Sequence, residues 1–291
     1  MQAIRSILVV LEPGQTDSPA LRRAQLIASA TGSELHLLAC DARHDHGIWL
    51  AALADGLRAE GHSVSTRQEW REAGHASIIA AQQEEGCGLV VKQHRPDNPL
   101  KRALLTPDDW KLLRSCPVPV LLVKGSRAWS GGNILAAVDV GSADAEHCAL
   151  HAGILSHAFD IASLARGELH VLSAHPAPLL SAADPAFQLR ESIAARYREA
   201  CQAFQDEYGI GSHQLHIAEG PADLLIPQLA SQLDAVVTVI GSVARSGLSG
   251  ALIGNTAEVV LDALESDVLV LKPEALCESL EKQLATGPAV D

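Results

Sequence analysis

The residue types best suited to ligand chemistry follow an apolar run that ends at Ile240. Small residues let a phosphate group approach the backbone, and the free amides and positive end of a following helix attract an anion. Arg245 is the only Lys or Arg from 238 through 271, which makes it the natural side-chain partner of a bound phosphate. Alternatively, the glycines here only turn a strand into a loop and cap a helix. The candidate anion-binding residues are Gly241, Ser242, Ala244, Arg245, Gly254, Asn255 and Thr256.

This segment belongs to the second copy of an internal repeat. Residues 90–124 align with residues 238–272 without a gap, at a constant offset of 148 positions. Most identical pairs are apolar, and Lys124 with Lys272 is the exception. The loop positions differ between the copies, with aligned pairs Gln93/Gly241, Pro96/Ala244 and Thr106/Gly254. The first half is therefore predicted to have lost a ligand loop that the second half keeps.

Length and composition favour two globular domains. A chain of 291 residues suits two domains of about 150 residues each. The repeat divides it into a domain at residues 1–127, a second at 128–275 and a C-terminal tail at 276–291. Apolar residues make up 47% and aromatic residues 3%, which is typical of helices packed on a parallel sheet. No run approaches the roughly 18 apolar residues that cross a bilayer, and no signal peptide is evident, so we expect a cytoplasmic protein without a membrane partner.

Cysteine and charge distribution exclude further classes. The six cysteines contain no CxxC pair, which indicates buried, reduced thiols. Residues 1–127 carry a net charge of +1, and residues 128–291 carry −14. An acidic second half repels phosphate backbones, so we do not expect a nucleic-acid partner.

The apolar runs and helical periodicity alternate in the same order in both halves. Strands are predicted near residues 7–11, 34–40, 63–70, 88–92, 118–124, 134–138, 168–173, 213–218, 235–240 and 267–271. Such alternation requires parallel pairing through right-handed crossovers. The predicted fold class is α/β, with two tandem doubly wound parallel five-stranded sheets. Ligands bind such sheets beyond the carboxyl ends of strands, which points to the residues after Val138 and Ile240.

Several helix boundaries carry their own signals. Ser18 and Pro19 predict a helix start, and Gly32 predicts its end. A long helix is predicted from about Pro185 to Tyr208. Pro227 interrupts residues 222–233, so that helix is predicted to start late or to kink.

The thirteen histidines raise the question of a metal site. His44 and His46 flank Asp45, and His175 lies at a strand end, but no third ligand stands at a diagnostic spacing. A metal site is therefore not expected. Trp110 lies at helical spacing from Leu113 and is interpreted as a packing residue.

The pattern Gly241-x-x-Ala244-x(9)-Gly254-Asn255, followed by Thr256-Ala257-Glu258 and a closing strand before Lys272-Pro273, resembles the signature of the universal stress protein family. Members of that family that bind ATP have Gly-x-x-Gly-x(9)-Gly-(Ser/Thr). Over nearly its whole length the sequence is similar to the tandem-domain members. This resemblance implies the adenine nucleotide alpha hydrolase-like fold.

The resemblance also implies a ligand and roles for individual residues. ATP or AMP is the expected ligand, and whether Mg²⁺ accompanies it stays open. Asp139 would lie by the adenine and ribose, and Ala174 would offer backbone contacts to the base. Backbone amides of Gly241, Ser242 and residues 254–256 would surround the phosphates. Ala244 replaces the second glycine and adds a Cβ that can weaken or abolish binding, and Asn255 replaces the hydroxyl residue.

In the first half, Glu12 takes the place of Asp139 and Pro96 removes an amide donor, so the family binding mode should fail there. The basic residues of that loop either lie exposed to solvent or bind some other anion. They are His94, Arg95, Lys101 and Arg102.

Three functions remain open. The favoured one is a stress-adaptation protein that binds a nucleotide in its second half; the others are a non-nucleotide interaction scaffold and a slow ATP hydrolase. No catalytic set is evident, so an enzyme is not expected. Val120–Val123 and Val268–Leu271 could pair within one chain as a pseudo-dimer, and exposed edges could still join two chains as a homodimer.

Overall fold

Strands and helices alternate along both halves of a computed structural model, which describes residues 1, 4–15, 17–71, 73–95, 105–142, 144–175, 190–242 and 255–285. The strands are β1 (Ser6–Leu11), β2 (Glu34–Ala39), β3 (Val64–Gln68), β4 (Leu89–Gln93), β5 (Val120–Val123), β6 (Asn133–Ala137), β7 (Glu168–His175), β8 (Leu215–Glu219), β9 (Val237–Gly241) and β10 (Asp267–Leu271). The helices are α1 (Pro19–Thr31), α2 (Gly47–Ala59), α3 (Gly74–Glu85), α4 (Pro107–Ser115), α5 (Ala145–Ala165), α6 (Arg190–Tyr208), α7 (Ala222–Gln232), α8 (Asn255–Ala263) and α9 (Glu274–Ala285).

The strands form two parallel five-stranded halves that join into one sheet. The strand order is β3-β2-β1-β4-β5-β10-β9-β6-β7-β8, so each half repeats the same doubly wound order. The two halves meet where β5 and β10 pair antiparallel, with Leu121 opposite Leu269. The predicted fold class is confirmed, and the predicted pairing of the last strands occurs within one chain. The free edges of the sheet are β3 and β8.

Helices cover both faces of this sheet, and alternate strand residues supply two cores. On one face α1, α2, α5 and α6 pack over residues such as Leu121 and Leu269. On the other face α3, α4, α7 and α8 pack over residues such as Val120 and Val270. Each core contains residues of both halves, so the halves share their apolar interior.

The start of α1 follows the local signals in the sequence. The Ser18 hydroxyl accepts a hydrogen bond from the Leu21 amide at 3.2 Å, and Pro19 is the first helical residue. The helix ends at Gly32, whose φ of 69° is a left-handed conformation that glycine adopts without strain.

Three element boundaries differ from the sequence predictions or cannot be compared over their full predicted length. Helix α7 begins at Ala222 and contains Pro227, so the predicted late start is wrong; Pro227 lies at the sixth helical position, where its missing N–H removes one interior bond. The described part of α6 begins at Arg190, and residues 185–189 lie outside the described residues. Helix α9 covers residues 274–285, so much of the predicted C-terminal tail is helical, with Leu280 buried.

Among the described helices, α5 is long and apolar enough to cross a membrane by length and composition alone. The core helix of a soluble protein passes the same test, and α5 packs against β6, β7 and β9 in the apolar interior. Its composition is therefore explained by its place over the sheet.

The cysteines are all free thiols. Cys87, Cys116 and Cys201 are buried, as predicted, but Cys148 is exposed. Burial raises the pKa of Cys87 to about 12, so this thiol stays protonated and unreactive. Trp110 packs partly buried against the second core, which agrees with its predicted packing role.

Candidate functional site

The sheet brings four predicted site residues to the carboxyl ends of three neighbouring strands. Strand β6 lies between β7 and β9, and all three are parallel, so their carboxyl ends meet at the switch point of the second half. Asp139 follows β6, Ala174 lies near the end of β7, and Gly241 ends β9 with Ser242 next to it.

Asp139 presents an exposed carboxylate that its own loop holds in place. Its Oδ1 accepts a hydrogen bond from the Gly141 amide at 3.0 Å. The Asp139 amide donates to Nε2 of His151, a buried residue of α5, at 3.2 Å. Burial lowers the pKa of His151, which suits a neutral ring that accepts this bond. The carboxylate is thus fixed and open to a ligand.

Tyr197 is a site residue that the sequence analysis missed. It lies on α6, and its hydroxyl occupies the space that a Cβ on Gly141 would need. Its ring lies 5.5 Å from the ring of buried His175, at a tilt of 55°. Burial and the charge of Asp139 raise the pKa of Tyr197, so the hydroxyl keeps its proton. The absence of a side chain at Gly141 was the available signal, but no spacing rule connects it to a tyrosine 56 residues later.

The backbone of Ala174 faces the candidate site. The Leu172 carbonyl accepts from Val138 on the β6 side at 3.0 Å, whereas the His175 carbonyl accepts from Gly220 on the β8 side at 2.9 Å. Alternate residues of a parallel strand bond to opposite neighbours, so the polar groups of Ala174 point to the β6 side. Strand β6 ends at Ala137, so β7 runs past it there. This placement suits the base contacts that the resemblance implies.

Gly241 and Ser242 have structural roles that were not predicted from the sequence. A Cβ on Gly241 would lie 2.7 Å from Cδ2 of Leu150, so the glycine lets α5 pack closely on the sheet. The Ser242 amide donates to the Leu271 carbonyl at 2.8 Å, which extends the β9 pairing with β10. The expectation that this amide is available to a phosphate is therefore wrong.

Two of the remaining predicted phosphate contacts belong to the start of α8. Asn255 and Thr256 are its first two residues, and a helix N-terminus carries amides without intrahelical partners. Ala244, Arg245 and Gly254 lie outside the described residues.

The equivalent place in the first half contains an internal carboxylate. Asp109, in the first turn of α4, is fully buried. It accepts hydrogen bonds from Lys92 Nζ at 2.6 Å, from His94 Nδ1 at 2.8 Å and from Thr106 Oγ1 at 2.9 Å. An anion already lies at this helix N-terminus and neutralises the nearby cation.

None of these four residues has an ionisable counterpart in the second half. At the offset of 148 the aligned pairs are Lys92/Ile240, His94/Ser242, Thr106/Gly254 and Asp109/Ala257. His94 is buried, so its interpretation as part of an exposed loop is wrong. Arg95 lies 3.8 Å from Glu12, whereas Pro96, Lys101 and Arg102 lie outside the described residues.

In the structure, a carboxylate lies beside both His44 and His46, in the loop after β2. Oδ2 of Asp41 lies 3.3 Å from His44 Nδ1 and 2.7 Å from His46 Nε2. Asp41 could not be recognised from the sequence as a partner of these histidines, because the loop that folds it back onto His46 leaves no diagnostic spacing.

A separate cavity of about 730 Å³ lies between α6 and α7 beside the edge strand β8. Its lining includes Gln202, His216 and Gln228 and contains none of the predicted site residues. The candidate site is therefore defined by the strand ends rather than by this cavity.

Comparison with known proteins agrees with the fold and the repeat. The model of the Universal stress protein family matches residues 41–124 and 132–272. Universal stress protein E from Escherichia coli (strain K12) is 30% identical over 303 aligned positions, which cover 94% of this chain and 96% of that protein.

Solved structures extend the likeness to three dimensions. A protein from Pseudomonas aeruginosa PAO1 is 64% identical, with a TM-score of 0.90 over 98% of this chain and 99% of that one. A universal stress protein from Archaeoglobus fulgidus DSM 4304 is 17% identical, with a TM-score of 0.66 over 91% of this chain and 98% of that one, which shows the shared fold. The chain belongs to the universal stress protein family, as a tandem member with two copies of the domain.

Proposed function

We propose that this chain is a cytoplasmic stress-adaptation protein whose second half binds an adenine nucleotide, or a related small anionic ligand, where β6, β7 and β9 end. The observation that carries the proposal is the asymmetry between the halves. In the first half the buried carboxylate of Asp109 lies at the helix N-terminus, whereas the aligned residue of the second half is Ala257. An external anion takes the corresponding place at the start of α8.

The exposed residues at the strand ends support the rest of the ligand. The carboxylate of Asp139 accepts hydrogen bonds from ribose hydroxyls, and the polar backbone groups of Ala174 meet the edge of the base. Tyr197 limits the depth of the site above Gly141. The free thiols fit a reducing compartment.

A second candidate function is an interaction scaffold without a nucleotide. The hydrogen bond from the Ser242 amide to Leu271 favours it, because one expected phosphate donor is already used. Homodimer formation in either case would involve the edges at β3 and β8, since β5 and β10 pair within the chain.

Thermal unfolding with ATP and AMP, together with mass spectrometry of molecules released on denaturation, tests these alternatives. A ligand at 100 times its Kd stabilises the folded state by about 2.7 kcal/mol. We expect Asp139→Ala to lose most of this stabilisation and Glu12→Ala, its counterpart in the first half, to keep it. No stabilisation and no released nucleotide in the wild-type protein would favour the scaffold. Phosphate release above a protein-free control, lost in Asp139→Ala, would favour the hydrolase.

A further inference from the structure

The loop between β2 and α2 gathers three side chains that bind metals. Asp41 comes two residues after β2, and His44 and His46 follow it before α2 begins at Gly47. One carboxylate oxygen and two ring nitrogens all lie within 4.8 Å of one another. Among the described residues, this is the group of His, Cys, Asp or Glu that reaches three potential ligands at such distances.

This loop is held in shape from the neighbouring strand. The Gln68 side chain, at the end of β3, donates from Nε2 to the carbonyls of Asp41 at 3.1 Å and His44 at 2.6 Å. Its Oε1 accepts from the His46 amide at 2.7 Å. The other carboxylate oxygen of Asp41 accepts from the Arg43 amide at 2.7 Å. The three ligand side chains therefore converge from a backbone that is fixed before any metal arrives, which lowers the cost of binding.

The distances from the Asp41 carboxylate to the two histidine rings are comparable with those in a tetrahedral site, and the three ligand atoms all lie within 4.8 Å of one another. Metal–ligand bonds of about 2.0–2.1 Å place neighbouring ligand atoms roughly 3.3 Å apart. The distance from Asp41 Oδ2 to His44 Nδ1 is 3.3 Å, and the distance to His46 Nε2 is 2.7 Å. The second distance widens by about half an ångström when a metal replaces the shared hydrogen.

We infer that Asp41, His44 and His46 form a binding site for a divalent transition metal, and that Zn²⁺ is the metal bound in the cell. Two imidazoles and one carboxylate suit Zn²⁺, Co²⁺ or Ni²⁺, whereas Mg²⁺ and Ca²⁺ prefer sites made of oxygen ligands. The site lies in the half whose nucleotide loop has been replaced, so it adds a ligand of a different chemical class to that half.

The fourth coordination position faces solvent. A cavity of about 460 Å³ opens beside the loop, and Glu69 and Trp70 contribute to its lining. Oε2 of Glu69 accepts hydrogen bonds from Arg67 at 3.0 and 2.5 Å, so this carboxylate is already engaged. The His44 side chain is 73% exposed, which gives the metal a path of entry. Water or a small anion completes the coordination, as in zinc sites with three protein ligands.

Metal titration of untagged, chelator-treated full-length protein tests the site. We expect a single equivalent of Zn²⁺ by calorimetry and, with Co²⁺, the visible absorption of a tetrahedral complex. His44→Gln and Asp41→Asn should each weaken Zn²⁺ binding at least tenfold. His213→Gln removes an exposed histidine elsewhere and should bind Zn²⁺ like the wild type.

A variant of the supporting residue separates a built site from chance surface binding. Gln68→Ala leaves all three ligands in place but frees their loop, and a loss of about tenfold to a hundredfold in Zn²⁺ affinity is expected. Far-UV circular dichroism checks that each variant is folded. The inference is overturned if the wild-type protein binds no Zn²⁺, or if His44→Gln binds it as tightly as His213→Gln does.

Discussion

At the scale of single residues, the carboxylate of Asp109 separates the two halves most clearly. Burial opposes its ionisation, but the hydrogen bond from His94 and the charge of Lys92 outweigh burial, so the pKa of Asp109 lies well below its usual range. The carboxylate is therefore an internal anion at neutral pH. Lys92, on β4, and Thr106, just before α4, donate hydrogen bonds to it.

Asp109→Ala should lower the free energy of unfolding by about 3–5 kcal/mol, because the Lys92 ammonium, whose side chain is only 13% exposed, and its hydrogen-bond network lose their carboxylate. Urea unfolding at neutral pH measures the loss. Millimolar acetate should restore part of the stability of this variant, since it can enter the space beside Lys92, and should leave the wild-type protein unchanged.

Asp108→Ala is the matched control for this experiment. Asp108 is the preceding residue, but its side chain is 42% exposed and pairs with His75 at the surface. We expect a midpoint close to that of the wild type and no response to acetate. Equal losses in the two variants would mean that Asp109 contributes nothing beyond an ordinary surface carboxylate.

These residue-level contacts mark the limit of what the sequence could predict. The repeat indicates correctly that Asp139, Ala174 and Gly241 lie at neighbouring strand ends, because strand order follows from the alternation of elements. The role of Asp109 was missed, since it depends on how the loop before α4 turns its side chains inward. Tyr197 was missed for a similar reason, because it comes from a helix after a long connection.

At the scale of elements, the lysine shared by both repeats links each half to a helix of the other. Lys124 Nζ, after β5, donates to the carbonyls of Leu261 at 2.5 Å and Leu264 at 2.8 Å, at the end of α8. Lys272 Nζ, after β10, donates to the Cys116 carbonyl at 2.7 Å, at the end of α4. A cation at a helix C-terminus meets carbonyls without helical partners and the negative end of the dipole. Each lysine therefore caps a helix of the other half. This shared role explains why Lys124 and Lys272 are identical in a repeat whose other identical pairs are mostly apolar.

The buried ammonium of Lys124 should make stability depend on alkaline pH. Burial lowers the pKa of Lys124 from 10.5 to about 8. Between these values the unfolded state binds more protons, so the contribution of Lys124 to stability rises with pH, by at most about 1.4 kcal/mol per pH unit. Urea unfolding of the wild type and Lys124→Met from pH 7 to 10 measures this difference. It should be flat below pH 8 and then increase.

The control for Lys124→Met is Lys282→Met on α9, whose side chain is 76% exposed. Its difference from the wild type should stay constant over the same pH range. A constant difference for Lys124→Met as well would show that the folded state does not lower the proton affinity of Lys124.

At the scale of the whole molecule, Asp267 links the two halves to each other and to residues 125–132, the joining segment between them. This buried carboxylate at the start of β10 accepts hydrogen bonds from Arg23 Nε on α1 at 2.9 Å and from Trp129 Nε1 at 2.8 Å. It also accepts from the Lys124 amide at 2.9 Å, after β5. The Arg23 guanidinium lies 5.0 Å from the centre of the Trp129 ring. Sequence patterns gave two domains, and only the contacts among these distant residues show how tightly they are joined.

Because one sheet and two shared cores run through both halves, we expect the chain to unfold in a single cooperative transition. All four tryptophans, Trp49, Trp70, Trp110 and Trp129, lie in the first half or the joining segment. Tryptophan fluorescence therefore reports on that part, whereas far-UV circular dichroism reports on both halves. The two urea transitions of the wild-type protein should coincide.

Asp267→Ala tests whether this joint holds the halves in one unit. Removing the carboxylate leaves Arg23 buried without its charge partner, so the free energy of unfolding should fall by about 3–5 kcal/mol, and both probes should shift together. Asp55→Ala, which breaks an exposed ion pair with Arg58 on α2, should leave both midpoints nearly unchanged. A wild-type dichroism transition that continues after the fluorescence change is complete would contradict the shared core, because the second half would then stay folded alone.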